Sequence, residues 1–539
     1  MKRSLFTRCR RLSLAMLVLI GLTHRVDDLR AQVAVGLTGA STEEPAPDDR
    51  YGVWQTIKCE HGNQIEEMRL RVYPQAAPRP AFRYRLVPAA RERVDGNSAL
   101  FYLKAMGFFE QSNAREQLTR LERKWREEAG EDAVDYPPHI WADMAPESLP
   151  MDQVKEYLDL LSFQPEFLYD AARRTRYEHD RAIEREPNPL GYLLPSIQQH
   201  RELARVQNVR CRFAIAEGRM DDAVEIVGQM MTLGRHVGQD EFLVCSLVGV
   251  AIHYIGVNTG FALSQQREAP NLYWAIAACS DPAIDLSQSF QFEREFLLWQ
   301  MPMLRDVTEE VRTRGYWSDF TREFTVALDD CFQLGNFNFE DPIGKWDDLQ
   351  TATAIARSYP AAREFLSKEV GLPDEQLNQY CRAQTVFLAI VKYYEYTQDE
   401  LMKQFVVPYA SRPKHDDESW GARFSLDGPY DFRKNLLALG ELLLPATGAV
   451  LDSVARVQQQ QSLWQTVEAL RMSAAENDGK FPPSLDELSV PAPLDPATNR
   501  PFEYELDEGV ATLLAGKVGE VRYRIKLELA NQNQTEEAE

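Results

Sequence analysis

The stretch "FLVCSLVGVAIHYIGVNTGFAL", residues 242–263, contains no Lys, Arg, Asp or Glu. A chain that carries it has two physical options. The run is long enough to cross a bilayer, which takes about 20 apolar residues; otherwise it must be the central helix of a sizeable core. Ser246, His253, Asn258 and Thr259 are scattered through it, and Asp240 and Glu241 rather than basic residues precede it, against the usual flanks of a membrane span. The expectation is a buried central helix, with His253 a satisfied core histidine rather than a ligand. A membrane span is the alternative.

Helical patterning extends far on both sides. From Asn97 or Ser98, either of which can cap a helix, to about Glu476, apolar residues recur at spacings of three and four. The most regular unit is "RELARVQNVRCRFAIAEGRMDDAVEIVGQMMTLGRHV". Leu203, Val206, Val209, Phe213 and Ala216 share one helix face. Gly218 supplies the left-handed residue that ends this helix. Asp221 and Asp222 fall in the first turn of the next, where the helix dipole favours negative charge, and Ala223, Ile226, Val227, Met230 and Gly234 form its buried face. Helix, glycine turn and second helix with a small residue at the crossing resemble half of a tetratricopeptide unit. There is no clean period of about 34 residues, so a generic α-hairpin is the companion reading. Further on, "EAPNLYWAIAACSDP" reads as a helix bracketed by Pro270 and Pro282 and capped by Asn271, and Pro445 should kink or split a later one.

The amino terminus reads as an export signal. Lys2, Arg3, Arg8, Arg10 and Arg11 precede the apolar run "LSLAMLVLIGL", and Leu29-Arg30-Ala31 offers a cleavable position. The mature chain is expected to begin near Gln32, an uncleaved anchor being the alternative, and the body to lie in the periplasm, the cell envelope or outside the cell. The formal charge of −22 disfavours nucleic acid and anionic membrane surfaces, both of which call for a basic footprint. Cys59, Cys211, Cys245, Cys279, Cys331 and Cys381 permit disulfides without fixing a pairing, and Cys211 and Cys245 in their apolar stretches are at least as readable as buried thiols.

Known catalytic patterns are missing from the sequence. It has no zinc-binding His-Glu-x-x-His, no Gly-x-Ser-x-Gly nucleophile turn, no phosphate loop ending in Gly-Lys-Ser/Thr and no Gly-x-Gly-x-x-Gly. Carboxylate pairs in "TEEVRT", "LDDCF" and "KHDDESW" read as solvated faces. Trp125, Trp274, Trp299 and Trp464 lie in helical patterns and read as packing residues rather than a sugar-binding groove. No catalytic, cofactor-binding or metal-binding residue is assigned, and no cofactor. An enzyme is the less favoured reading.

The last hundred residues change character. A helix ends at "AAEND", Gly479 turns the chain, Ser484 and Glu487 have capping-box spacing ahead of Leu485 and Leu488, and "PLDP" breaks the chain again. Two runs then lead into "VRYRIKLEL", where Val521, Tyr523, Ile525, Leu527 and Leu529 alternate with charged residues as in a half-buried antiparallel strand. The segment 456–530 resembles the globular end of type II secretion pseudopilins. Such a resemblance would allow a calcium ion near Asp495, for which turn chemistry is the preferred reading. The amino terminus lacks the Gly-Phe-x-x-x-Glu processing motif, so the segment reads as a packing module rather than a pilus subunit.

Through "FRYRLVPAARERVDGNSALFYLKA", "PNLYWAIA", "EALRMSAAENDGKFPPSLDEL" and the hairpin above, the chain resembles a family of exported, mainly helical bacterial proteins of planctomycetal type for which no activity is known. The expected organisation is a signal peptide at 1–31, a linker at 32–50, an extended or β segment at 51–95, a helical domain at 96–455, an α/β module at 456–530 and an acidic tail at 531–539. The fold class is mainly α: an irregular array of helical, tetratricopeptide-like hairpins with a small carboxy-terminal module in which a long helix lies on an antiparallel sheet. The expected function is protein contact in the cell envelope, with an unidentified protein partner and no nucleic acid. A polysaccharide or peptidoglycan hydrolase or lyase, and an accessory part of a secretion or pilus-like machine, are the alternatives.

Overall fold

The computed structural model describes residues 51–58, 64–107, 113–129, 137–179, 181, 197–334, 346–412, 436, 437, 439 and 447–530. The segments read as signal (1–31), linker (32–50) and acidic tail (531–539), together with Cys59, "KHDDESW" and Pro445, lie outside the described residues, as does the side chain of Cys331. The protein is mainly helical. Its chain divides into two compact units: a larger one holding the described residues of 51–179, 197–286 and 452–530, and a smaller one holding 181 and those of 287–451.

In chain order the larger unit begins with strands β1 (Gln55–Lys58), β2 (Gln64–Val72) and β3 (Val94–Asn97). Helices α1 (Ala99–Ala105), α2 (Asn113–Ala129), α3 (Pro137–Asp143), α4 (Met151–Leu160) and α5 (Gln164–Ala172) follow, then β4 (Arg174–Arg176). Next come α6 (Ile197–Ala216), α7 (Met220–Gly238) and α8 (Leu243–Ser264). The smaller unit contributes α9 (Ser287–Gln300), α10 (Arg314–Leu334), α11 (Asp348–Lys368) and α12 (Arg382–Lys403). The long α13 (Thr447–Glu476) leads back into the larger unit, which ends with β5 (Leu494–Asp495), β6 (Arg500–Pro501), β7 (Glu503–Asp507), β8 (Val510–Leu514) and β9 (Val521–Leu529).

α6 and α7 form the expected hairpin. Gly218 (φ +74°) would meet nothing if given a Cβ, so its role is conformational. Arg219 N–H closes the turn onto Ala214 C=O at 2.8 Å. Leu203, Val206, Val209 and Phe213 are buried, whereas Ala216 is exposed because it sits in the last turn. Gly234 is buried, as expected of that face, and lies at the crossing with the following helix. A Cβ there would lie 2.7 Å from His253 N and 2.8 Å from Gly249 O, so the close approach is between α7 and α8. α8 is long and apolar enough to cross a membrane, and 72% of its most apolar window is buried inside the protein. Trp125 and Trp141 meet edge to face at 5.2 Å in a satellite cluster that also takes Val206, Val209 and Phe213 from α6.

The sheet of the larger unit has the order β1-β2-β9-β8-β7. β7, β8 and β9 form the expected antiparallel meander, and the β7–β8 turn places Glu508 (φ 47°) and Gly509 (φ 86°) in the left-handed region that a two-residue hairpin requires. The other flank of β9 is taken by β2, in parallel, so that Glu66 faces Tyr523, Met68 faces Ile525 and Leu70 faces Leu527. "EMRLRVY" is thus mostly strand, but "AFRYRLVP" is irregular because it lies against α7 rather than in a sheet.

α13 is enclosed rather than laid on one surface. Successive residues of a helix point about 100° apart, and the run Gln458–Gln461 reaches different elements. Gln458 Oε1 accepts from Ala283 N (2.8 Å), Gln459 Nε2 donates to Asp495 Oδ1 (2.7 Å), and Gln461 Oε1 meets His253 Nε2 (2.9 Å). Lower on the helix, Glu468 and Arg471 pair at 2.9 Å with both side chains fully buried. The carboxylate also accepts from Ser264 Oγ and from Leu272 N, and the guanidinium donates to Tyr73 O (3.1 Å) and Ala269 O (3.0 Å).

Asp495 performs turn chemistry. It is buried, and its carboxylate accepts from Ala497 N (2.8 Å), Gly516 N (2.5 Å) and Gln459. Asp495→Ala should cost roughly 2–3 kcal/mol by stranding these donors, read as a lower urea midpoint with unchanged m-value. Ser484 caps its turn through Asp486 N rather than the Glu487 amide, because Leu485–Glu487 is a single 3-10 turn; Leu485 is buried and Leu488 half-buried.

The smaller unit has its own core. Phe387 of α12 stacks on Trp317 at 6.1 Å and meets Phe320 and Phe324 edge to face at 4.8 and 4.9 Å. Asp347 and Gln350 form a reciprocal capping box at the start of α11, both bonds 2.8 Å.

Candidate functional site: a histidine–tyrosine cluster beside an arginine-lined cleft

Residues far apart in sequence converge where β3 pairs with β4, Val94 opposite Arg174 and Asn97 opposite Arg176. This pairing carries Tyr102 of α1 and the Tyr177–His179 segment up to His200 of α6 and His236 of α7. Tyr102 Oη lies 2.8 Å from His236 Nδ1. Tyr177 Oη lies 3.0 Å from His200 Nε2 and 2.9 Å from His179 Nε2. The two tyrosine rings are 6.2 Å apart.

Proton counting constrains the second group. A phenol has one proton to donate, so Tyr177 can donate to at most one of the two imidazoles. His236 is pushed down to about 3 by burial, reinforced by the Arg235 charge, and burial raises Tyr102. Both are neutral at pH 7. Their pair is a positioning network rather than a proton donor–acceptor couple for catalysis.

A pH dependence follows with a definite sign. The folded pKa of His236 lies below the ordinary 6.5, so between pH 6.5 and about 3 the unfolded chain binds a proton that the folded cluster refuses. The stabilisation is complete above pH 6.5 and is lost as pH falls through that window. His236→Gln should remove about 2 kcal/mol of the stability loss between pH 7 and pH 5, measured as the difference between urea titrations of variant and wild type at the two pH values. Equal pH dependence in the two proteins would remove His236 as the source.

One turn before His236 on the same helix, Thr232 opens onto a surface cleft of about 150 Å³. The cleft is walled by Arg85–Pro88 and Glu92, by Tyr169, Ala172 and Arg173, and by the α7 stripe Glu225, Gly228, Gln229 and Thr232. Gly228 permits this arrangement: a Cβ there would sit 2.6 Å from Leu86 O, so the 85–88 segment lies directly on the helix. Thr232 is 1% exposed, and its Oγ1 has no hydrogen-bond partner. A helical threonine ordinarily returns its hydroxyl to a carbonyl one turn back.

Arginines cluster near the cleft, Arg176 among them paired with Asp95 at 3.5 Å and Glu178 at 3.6 Å. Arg79, Arg83, Arg85, Arg91 and Arg93 are exposed on one short segment, with Glu92 the one acid among them, and Arg173, Arg174 and Arg176 lie on the other. Arg85 and Arg91 stand 3.6 and 3.9 Å from Glu92, and Arg93 Nε donates to Pro88 O at 3.3 Å. Arg173 donates through Nε to Glu92 O at 2.9 Å, covers the Tyr169 ring at 5.2 Å and lines the cleft.

The residues weighed from sequence fall elsewhere. His253 is a buried histidine held by Gln461. Trp125 and Trp464 are buried, and Trp274 and Trp299 are half-buried. Glu309 and Glu310 of "TEEVRT" are exposed, and Asp329 of "LDDCF" accepts from Trp346 N at 2.7 Å. Cys211, Cys279 and Cys381 are free thiols, and Cys245 is buried in α8. The cleft and the cluster escaped sequence reading. One signal was present: five arginines within 79–93 of an otherwise acidic chain. Comparison of the chain with family models, curated proteins and solved structures returned no match.

Proposed function

We propose that the protein is an exported, mainly helical scaffold that acts in the cell envelope by holding a protein partner on the arginine-lined face of its larger unit. One observation carries this reading: in a chain whose formal charge is −22, five arginines fall within 79–93, and one of them, Arg85, lines a cleft together with Arg173. Local potential, rather than net charge, steers encounter and selects a partner. The histidine–tyrosine cluster supports the same view, since it holds α1, α6, α7 and the β3–β4 pair in place and its Tyr102–His236 pair is neutral at pH 7. The carboxy-terminal module is an internal packing element in this proposal. Both flanks of β9 are occupied and the middle of α13 is enclosed by its own chain, which leaves the pseudopilin resemblance as one of architecture.

The test is affinity purification of tagged protein from cross-linked envelopes, with wild type and an Arg85→Glu/Arg173→Glu variant in parallel. One or two stoichiometric proteins with wild type, depleted with the variant, are expected. Cell-wall glycan captured without any protein would replace the scaffold reading with a carbohydrate-directed one.

A further inference from the structure

Resting on that reading, we infer that the cleft receives a carboxylate side chain from an acidic peptide segment of the partner. Three features of the cleft converge on this chemistry. Arg85 and Arg173 line it: Arg85 is held only at 3.6 Å from Glu92 in a partly exposed ion pair, and Arg173 gives Nε to a backbone carbonyl while its guanidinium covers the Tyr169 ring. The Thr232 hydroxyl, buried and without partner, offers a donor whose desolvation is already incurred and which a ligand oxygen would satisfy. Glu225, held by a 3.1 Å hydrogen bond from Gln229 Nε2 whose own Oε1 is taken by Gln207, presents an exposed carboxylate acceptor suited to peptide N–H groups.

The same composition argues against other anions. Glu92 and Glu225 line the cleft, so a doubly charged phosphate would meet two carboxylates as well as two guanidinia. A singly charged carboxylate meets the planar fork of an arginine with matched geometry, and Leu86, Val87, Pro88 and Ala172 give its aliphatic stem an apolar wall. The volume, about 150 Å³, suits one side chain rather than a sugar or nucleotide.

Fluorescence anisotropy of a dye-labelled hexaglutamate peptide with the full chain tests the assignment. Saturable binding is expected, weakened at least about tenfold in Arg85→Gln/Arg173→Gln and several-fold in the isosteric Thr232→Val. Arg322→Gln, an exposed arginine in the smaller unit, should bind as wild type. Wild-type affinity in the double variant, equal binding of a labelled hexaglutamine peptide, or equal competition by inorganic phosphate or a sulfated glycan would each overturn it. Should Thr232→Val fail to fold, the exposed Arg85→Gln variant alone decides. The two proposals fail separately: a captured protein partner with no peptide binding removes the carboxylate assignment, and peptide binding with no captured protein removes the scaffold.

Discussion

Arg471→Met should lower the unfolding free energy of the larger unit by roughly 3–5 kcal/mol, the cost of leaving one half of a buried ion pair behind. The substitution keeps an unbranched side chain of similar reach, so the loss is chiefly electrostatic. Glu468 would retain Ser264 Oγ and Leu272 N as donors but lose its only described cation, at zero exposure. Tyr73 O and Ala269 O would lose theirs as well. Glu468→Gln/Arg471→Met should recover part of the loss, because removing both charges removes the uncompensated one. Urea titration of the three proteins gives the coupling directly. A single-variant loss under about 1 kcal/mol would mean that water reaches the carboxylate, and that this pair is not what ties α13 to the ends of β2 and α8.

Gly249→Ala should cost about 3 kcal/mol, the upper part of the range for overpacking a core. An added Cβ would lie 2.5 Å from Gly238 N, 2.6 Å from Gly234 O and 2.6 Å from Gly238 Cα. Every one of these neighbours is backbone, so no rotamer change relieves the clash and the two helices must separate. Gly448→Ala is the control, since a Cβ there meets nothing within 4 Å and alanine is the better helix former by about 1 kcal/mol. Thermal melts of the pair should move in opposite directions. A neutral Gly249→Ala would show that the α7–α8 crossing can open at little cost.

The parts of the fold legible in the sequence were those governed by local rules. Gly218, Asp495 and the Glu508-Gly509 turn each follow from backbone or turn chemistry within a few residues, and the alternation of "VRYRIKLEL" predicts which side of β9 is buried. Alternation says nothing about what lies on the strand's two edges, so the parallel neighbour β2 was invisible. Four consecutive glutamines look like a solvent-facing stretch, because polarity is usually read as exposure. Three of them instead bond to Ala283, Asp495 and His253. The candidate site was hidden for a related reason. Averaging charge over the chain cancels the arginines of 79–93, and His179, His200 and His236 share a cluster only because β3 and β4 pair and α6 and α7 fold back as a hairpin.

The pairing of β2 with β9 dictates an order of events. Gln64 bonds alongside Val521 and Val72 alongside Leu529, so the central ladder of the larger unit joins segments separated by nearly all the described chain. Loop closure on that scale is slow, and until it happens the β2 edge is open to strands of other molecules. A ribosome releases β2 long before β9. The larger unit must therefore wait, incomplete and in need of protection from aggregation, until its last strand arrives.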